Sequence, residues 1–252
     1  RLAVRDFRNY AAAELALDGR PVCLTGPNGA GKTNLLEAIS QLSPGRGLRS
    51  AGLSDLCRIG ATGGWAVSAR LASARDDAAV FETRLSVQGL SDEEGRARRV
   101  VEMDGAPIAA GEAGELFSLI WLTPAHDRVF AGGAGDRRRF LDRMVMAHTP
   151  SHGRAAAAYE RAMRERNALL EQGGRADPVW LTALEGRMAE AGAAMIHNRA
   201  RALDRLRDAM DTAPDGAFPA ADLHLKTEGP DGEAPGWNGP AIEAALAADW
   251  AS

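Results

Sequence analysis

Three observations predict an α/β chain built in two parts. Short apolar or alternating runs, separated by glycine and polar turns, occupy residues 1–134, the pattern of strands joined by tight connections. One of these runs leads directly into a glycine-rich turn, Gly26-Pro27-Asn28-Gly29-Ala30-Gly31-Lys32-Thr33, which opens a stretch of helical spacing. From about Gly135 onward the patterning becomes almost wholly helical. The expected organisation is therefore a β-rich first part over 1–134, a helical part over 135–211, and a return segment over 212–252.

Taken in order, Leu2-Ala3-Val4 and Leu15-Ala16-Leu17 read as short strands on either side of Phe7-Arg8-Asn9-Tyr10. Pro21-Val22-Cys23-Leu24-Thr25 reads as a buried strand, and Asn34 to Gln41 as a helix through Leu35, Leu36 and Ile39. Strands recur at Trp65 to Leu71, Phe81 to Val87 and Arg99 to Met103, and Asp104-Gly105 marks a hairpin turn. Ser91 to Gly95 is an acidic solvated loop, and Ser118 to Leu122 a further buried strand. Helices follow at Arg137 to Ala147, ended by Thr149-Pro150, and at Arg154 to Gln172, stopped by Gly173-Gly174. Asp177-Pro178 supplies an N-cap and a first-turn proline for a third helix. Its stripe of Leu181, Leu184, Met188, Ala191 and Met195, continued by Leu203, Leu206 and Met210, suits either an antiparallel hairpin or an amphipathic helix packed on a sheet. Thr212 to Pro240 is rich in Pro, Gly and Asp with one strand expected at Asp222 to Lys226, and Ile242 to Trp250 reads as a helix.

Composition bounds the function. A formal net charge of -4 gives no global basic signature, so any nucleic-acid surface must be local. Cys23 and Cys57 have no metal-ligand spacing and read as small buried thiols in a reducing cytoplasm. There is no run of the ~20 apolar residues that a membrane helix needs and no secretory leader. The chain opens at Arg1 on a strand-like pattern, as a piece trimmed at both ends does.

The glycine-rich turn carries the chemistry. It satisfies G-x-x-x-x-G-K-[ST] at every required position, between an apolar run and an amphipathic helix. Glycines allow successive backbone N–H groups to face one concavity, and the helix N-terminus adds partial positive charge. Asn28, Gly29, Ala30, Gly31, Lys32, Thr33 and Asn34, with Gly26 and Pro27, are thus predicted to hold ATP. Lys32 would reach the β- and γ-phosphates, and the Thr33 hydroxyl would ligate Mg²⁺. A glycine-rich turn that merely matches the pattern would lack these flanks. Hydrolysis needs more, yet after Lys32 there is neither an apolar run ending in Asp-Glu nor a Leu-Ser-x-Gly stretch. Either the chain binds ATP without turnover, or the remaining parts lie beyond Ser252.

Leu2-Ala3-Val4-Arg5-Asp6-Phe7-Arg8-Asn9-Tyr10, followed by the P-loop and Asn34-Leu35-Leu36-Glu37-Ala38-Ile39, resembles the start of the RecF family. Leu42 to Ser50, Gly135-Asp136-Arg137-Arg138-Arg139-Phe140-Leu141-Asp142, Arg166-Asn167-Ala168-Leu169-Leu170 and the segment from Trp180 agree in the same order. The resemblance spans roughly Leu2 to Arg201. It implies a P-loop NTPase of the ABC-type head class, with a β-rich lobe I carrying the P-loop and a helical lobe II. It also implies ATP and Mg²⁺ as cofactors, ATP-driven homodimerisation, and slow hydrolysis that needs signature and Walker B motifs later in the chain. The implied role is a DNA recombination, repair and replication mediator at single-strand gaps. Double-stranded DNA and single-strand/double-strand junctions would be its substrates, and it would work with RecO and RecR to load RecA. Alternatives are a different head of the same superfamily (SMC- or RecN-like), a transporter ATPase subunit, or a module in which nucleotide only orders the fold.

By the same resemblance, Arg8 and Asn9 stand beside the nucleotide, and Arg46 and Arg49 on a Gly-rich loop face DNA phosphate. Arg137, Arg138, Arg139 and Arg143 form the densest basic cluster; Arg139 and Arg143 share a helix face, and Arg138 and Asp142 can pair at i, i+4. With no interleaved aromatics, sequence-independent backbone contact is the expected mode. SMC heads place a Gln-Gly pair at the lobe boundary, but the comparable stretch here, Leu122 to Asp127, has no Gln; His126 stands where RecF proteins carry the Glu of a Pro-Glu-Asp-like stretch and receives no role. His148 and His152, separated by Thr149-Pro150-Ser151, do not have the spacing of a metal site.

Overall fold

The structure, a computed structural model, describes residues 1–73, 81–91, 97–116, 118–171, 177–212 and 221–225. Two compact units divide the chain, Arg1–Trp121 and Leu122–Ser252.

The first unit is a six-stranded antiparallel sheet with two helices against it. Strands β1 (Leu2–Phe7), β2 (Tyr10–Leu15), β3 (Trp65–Ser73), β4 (Phe81–Ser91), β5 (Ala97–Met103) and β6 (Ala106–Pro107) lie in the order β2-β1-β3-β4-β5-β6. Alternation along each strand and the register between strands place the apolar residues in rows. Leu2 lies opposite Ala69 and Ala69 opposite Leu85, while Val4, Val67, Val87 and Val101 form a second row. All of these are buried, together with Phe7, Leu56 and Trp65. Each fully buried Val or Leu of this kind contributes about 1.5–3 kcal/mol. Phe7 and Trp65 meet edge to face at 5.4 Å, and the Trp65 Nε1–H donates to the Leu53 carbonyl at 2.8 Å. Helix α1 (Lys32–Ser40) adds Leu35 and Ala38 to this core, and the short helix α2 (Ala110–Leu116) adds Ala113. Asp104-Gly105 forms the two-residue turn between β5 and β6 with φ positive at both residues, as its sequence predicts.

Two expected strands do not form. Residues 21–25 and 118–122 carry no ladder, and Val22 (58%), Ile120 (49%) and Leu122 (76%) are exposed. Cys23, expected to be buried, is exposed with its run, and Cys57 is only partly buried. Apolar character selects a buried strand only where a neighbouring edge supplies hydrogen-bond partners, and none of the described strands pairs with either run. Residues 222–225 likewise carry no ladder, and Lys226 lies outside the described residues. The second strand begins at Tyr10 and ends at Leu15, leaving Leu17 exposed. The acidic loop expected beyond Ser91, most of Thr212 to Pro240 and the helix expected at Ile242 to Trp250 also fall outside the described residues.

The second unit is helical: α3 (Ala134–His148), α4 (Ser151–Leu170) and α5 (Pro178–Asp211). Asp177 caps α5, accepting from the Val179 N–H at 2.9 Å, with Pro178 in the first turn. Helices α4 and α5 form an antiparallel hairpin, which settles the two readings of the α5 stripe. Leu184 and Met188 are buried against Ala162, Tyr159 and Met163, and Arg166 Nε donates to Glu185 Oε1 at 2.9 Å. Asp142 joins all three helices. Its Oδ1 meets the buried His152 Nε2 at 2.9 Å, and Arg199 binds both of its oxygens, at 2.6 and 2.8 Å. Burial pushes the Asp142 carboxyl up, but the hydrogen bonds and charges of His152 and Arg199 outweigh it and hold the group below the usual carboxylate range. The expected Arg138–Asp142 pair is therefore replaced by partners from α4 and α5.

Candidate functional site

The P-loop is shaped by three glycines in the left-handed region, Gly26 (φ +143°), Gly29 (+85°) and Gly31 (+96°). Gly31 passes so close to the β1–β2 hairpin that a Cβ would lie 2.7 Å from Asn9 Nδ2 and 2.8 Å from the Tyr10 hydroxyl. Helix α1 starts at Lys32 with no side-chain cap, so its first-turn N–H groups face outward with no capping acceptor. The Lys32 ammonium folds back onto the loop, donating to the carbonyls of Gly26 at 2.7 Å and Pro27 at 2.9 Å. Residues Gly26 to Ala30 and Thr33 are exposed. Uncapped amides, left-handed glycines and a reachable ammonium fit a phosphate chain. Thr33 is the residue that would hold Mg²⁺, a cation that retains waters and phosphate oxygens as its other ligands. Among the described residues no cluster of three or more His, Cys, Asp or Glu offers a separate metal site.

Arg8, Asn9, Asn34 and Arg49 are brought together by a residue the sequence reading did not single out. Glu37, on α1, is fully buried. Its carboxylate takes Arg8 in a fork, from Nε at 2.9 Å and Nη2 at 2.8 Å, and Arg49 Nη1 at 3.1 Å. Arg49 Nη1 also reaches Asn34 Oδ1 at 3.0 Å, and Asn34 Nδ2 donates to Asn9 Oδ1 at 2.9 Å. One polar network thus ties the hairpin, the P-loop helix and the following loop. Arg8 sits at φ +52°, a region that non-glycine residues rarely occupy, and further contacts fix it there. Its N–H donates to the Leu56 carbonyl and Nη1 to the Asp55 carbonyl, both at 2.8 Å. The Glu37 hydrogen bond raises the Arg8 pKa above the ordinary arginine value. In the sequence Glu37 is a lone acid among the apolar positions of a short helix, inside the RecF-like stretch that follows the P-loop.

The basic residues divide. Arg46 is exposed and makes no ion pair or hydrogen bond among the described residues. On α3, Arg137 donates to the Gly132 carbonyl at 2.6 Å, Arg139 pairs with Asp136, and Arg138 is exposed and unpaired among the described residues. Arg143 does not share their exposure. It is half-buried, its Nη1 lies 3.3 Å from His126 Nε2, and burial lowers its pKa. His126 completes a capping box, its Nδ1 accepting from the Thr123 N–H at 3.0 Å, and its ring packs against Phe140 at a tilt of 52°, centroids 5.1 Å apart.

Residues 1–52 match a family model described as "AAA domain". The DNA replication and repair protein RecF of Rhizobium etli strain CIAT 652 is 48% identical over 227 residues, covering 89% of this chain and 59% of that protein. Its counterpart from Agrobacterium fabrum strain C58 is 47% identical over 228 residues, with the same shares. A solved structure of the recombination mediator protein RecF-ATPrS in the RecFOR pathway superposes with a TM-score of 0.68 at 25% identity, over 83% of this chain and 55% of that one. The RecF-ATP structure gives 0.75 at 21% identity over 100% and 65%, a likeness of fold. The chain thus spans 59% of the length of the curated relatives it matches. Its fold is that of a P-loop ATPase head of the ABC type, a β-rich lobe with the P-loop and a helical lobe. In this order of motifs, and with nearly half of its aligned residues identical, the chain matches RecF proteins over 89% of its own length.

Proposed function

We propose that this chain is the nucleotide-binding portion of a cytoplasmic, ATP-dependent DNA replication and repair protein. The observation that carries the reading is the joining of the P-loop helix to Arg8 and Arg49 through Glu37, and to Asn9 through Asn34. A phosphate chain in the loop would draw Lys32 off its two carbonyls and bear on the same helix that positions Arg49. ATP occupancy and the basic loop are thereby mechanically connected. In the full-length protein, ATP binding with Mg²⁺ at Thr33 drives homodimerisation on double-stranded DNA near single-strand gaps and junctions, where RecO and RecR help load RecA. Signature and Walker B motifs from the rest of the protein complete slow hydrolysis, which times release. Arg46, Arg49, Arg137, Arg138 and Arg139 contact the phosphate backbone; Arg143 serves mainly to hold the helical lobe.

Fluorescence anisotropy of a labelled gapped duplex with the full-length protein tests this. Affinity should rise at least about tenfold, or 1.4 kcal/mol, when ATP and Mg²⁺ are added, and should fall steeply with salt. Arg138→Ala should reduce the slope of log K against log[salt] by about 1. Equal affinity with and without ATP would sink the reading.

A further inference from the structure

The loop leaving the P-loop helix is held by a side chain from β5, a strand separated from β1 by two others. Arg99 donates from Nη1 to the Gly45 carbonyl at 2.8 Å, and from Nη2 to the Ser43 carbonyl at 2.8 Å and the Gln41 carbonyl. Helix α1 ends at Ser40, so these oxygens lie at and just beyond its C-terminus, where partial negative charge favours a cation. Among the described residues no carboxylate pairs with Arg99, its Nε–H is buried without an acceptor, and burial pushes its pKa down to about 10. A largely buried guanidinium that meets only carbonyls is costly, and its effect here is to fix where the loop runs.

The rest of the loop is pinned as well. Ser40 Oγ accepts from the Leu48 N–H at 2.7 Å. Gly47, at φ +69°, lies so close to Gln41 that a Cβ would sit 2.0 Å from Gln41 Nε2. Two residues later Arg49 reaches Asn34 and Glu37. Gln41 to Ser50 is therefore a strap closed at both ends, with exposed Arg46 between them.

We propose that Arg99 is a positioning residue that holds this strap, keeping Arg49 in register with the P-loop helix and presenting Arg46 to a nucleic-acid phosphate backbone. The phosphate half of this assignment rests on the function proposed above; the positional half does not. Full-length Arg99→Met and Arg99→Lys variants test it by hydrogen exchange, nucleotide titration and duplex binding. In Arg99→Met, amides of 41–49 should exchange at least about tenfold faster while those of 35–40 keep their protection. Duplex affinity in the presence of ATP should fall by about tenfold, with affinity for a fluorescent ATP analogue within about threefold of the parent. Arg99→Lys, which keeps the charge without the fork, should fall between the two, and carries the comparison alone if the methionine variant does not fold. Unchanged exchange in the strap would overturn the proposal. So would parallel loss of strap protection, helix protection and nucleotide affinity, the mark of an ordinary core residue. A parent protein whose duplex affinity ignores ATP would overturn the functional reading alone, because exchange is read without nucleotide or DNA.

Discussion

Glu37→Gln is expected to destabilise the β-rich unit by about 3 kcal/mol, the low end for breaking a buried ion pair. It should also weaken nucleotide binding by about tenfold. The buried carboxylate meets the Arg8 guanidinium through two parallel bonds, and Arg8 is 22% exposed. Glutamine keeps one acceptor and turns an N–H₂ toward guanidinium donors, leaving Arg8 with no anion. Arg49 is 44% exposed, so its share is screened by water and counts for little in stability. The binding loss has a separate cause. Arg8 and Asn9 occupy a two-residue turn strained at Arg8, and Asn9 packs within reach of Gly31. Relaxation of that turn moves the wall of the phosphate loop. Thermal unfolding should show a midpoint lower by roughly 6–12 °C, at about 2–4 °C per kcal/mol. Titration with a fluorescent ATP analogue reads the affinity. A variant as stable as the parent, with equal affinity, would show that the network is incidental.

Asp142→Asn is expected to act on the helical unit with a loss of about 3–5 kcal/mol and no direct effect on nucleotide affinity. The substitution leaves Arg199, 15% exposed, without its carboxylate and removes the partner of a fully buried His152. Because α3, α4 and α5 each supply one member, the whole unit should loosen together. The pH dependence has a definite sign. Asp142 titrates lower in the folded state than its unfolded value of about 3.9, so its stabilisation is fully present above about pH 4. That stabilisation is lost as pH falls through the depressed folded value. Acid unfolding of the helical unit, followed by circular dichroism, should therefore be shallower below pH 4 in Asp142→Asn than in the parent. Identical acid slopes would refute the assignment of Asp142 as the junction.

Much of this was legible in the sequence where the determining contacts are local. The P-loop, the Asp104-Gly105 turn and the Asp177-Pro178 helix start each depend on backbone conformations that a few neighbouring residues dictate. The RecF-like motifs assigned Arg8, Asn9 and Asn34 to the nucleotide and Arg49 to DNA; that one hydrogen-bond network joins all four is visible only in the fold. Long-range partnerships were not legible. Arg138 and Asp142 have ideal helical spacing, yet a better-buried partner, Arg199, lies 57 residues away. Arg99 looks like any polar residue of an alternating strand until the fold brings three carbonyls to it. The runs at 21–25 and 118–122 have strand composition, but a strand exists only with a paired edge. His126 shows the converse: a lone histidine with no assignable chemistry proves to be a local cap.

Nucleotide use at Lys32 is expected to be tied to DNA in the full-length protein. The most direct measurement is ATP turnover with and without duplex DNA, beside Lys32→Ala. Slow turnover that duplex DNA stimulates and that Lys32→Ala abolishes is the expected result. Turnover indifferent to DNA, or tight ATP binding with none, would contradict it and point to a transporter-type ATPase or a fold that nucleotide merely orders.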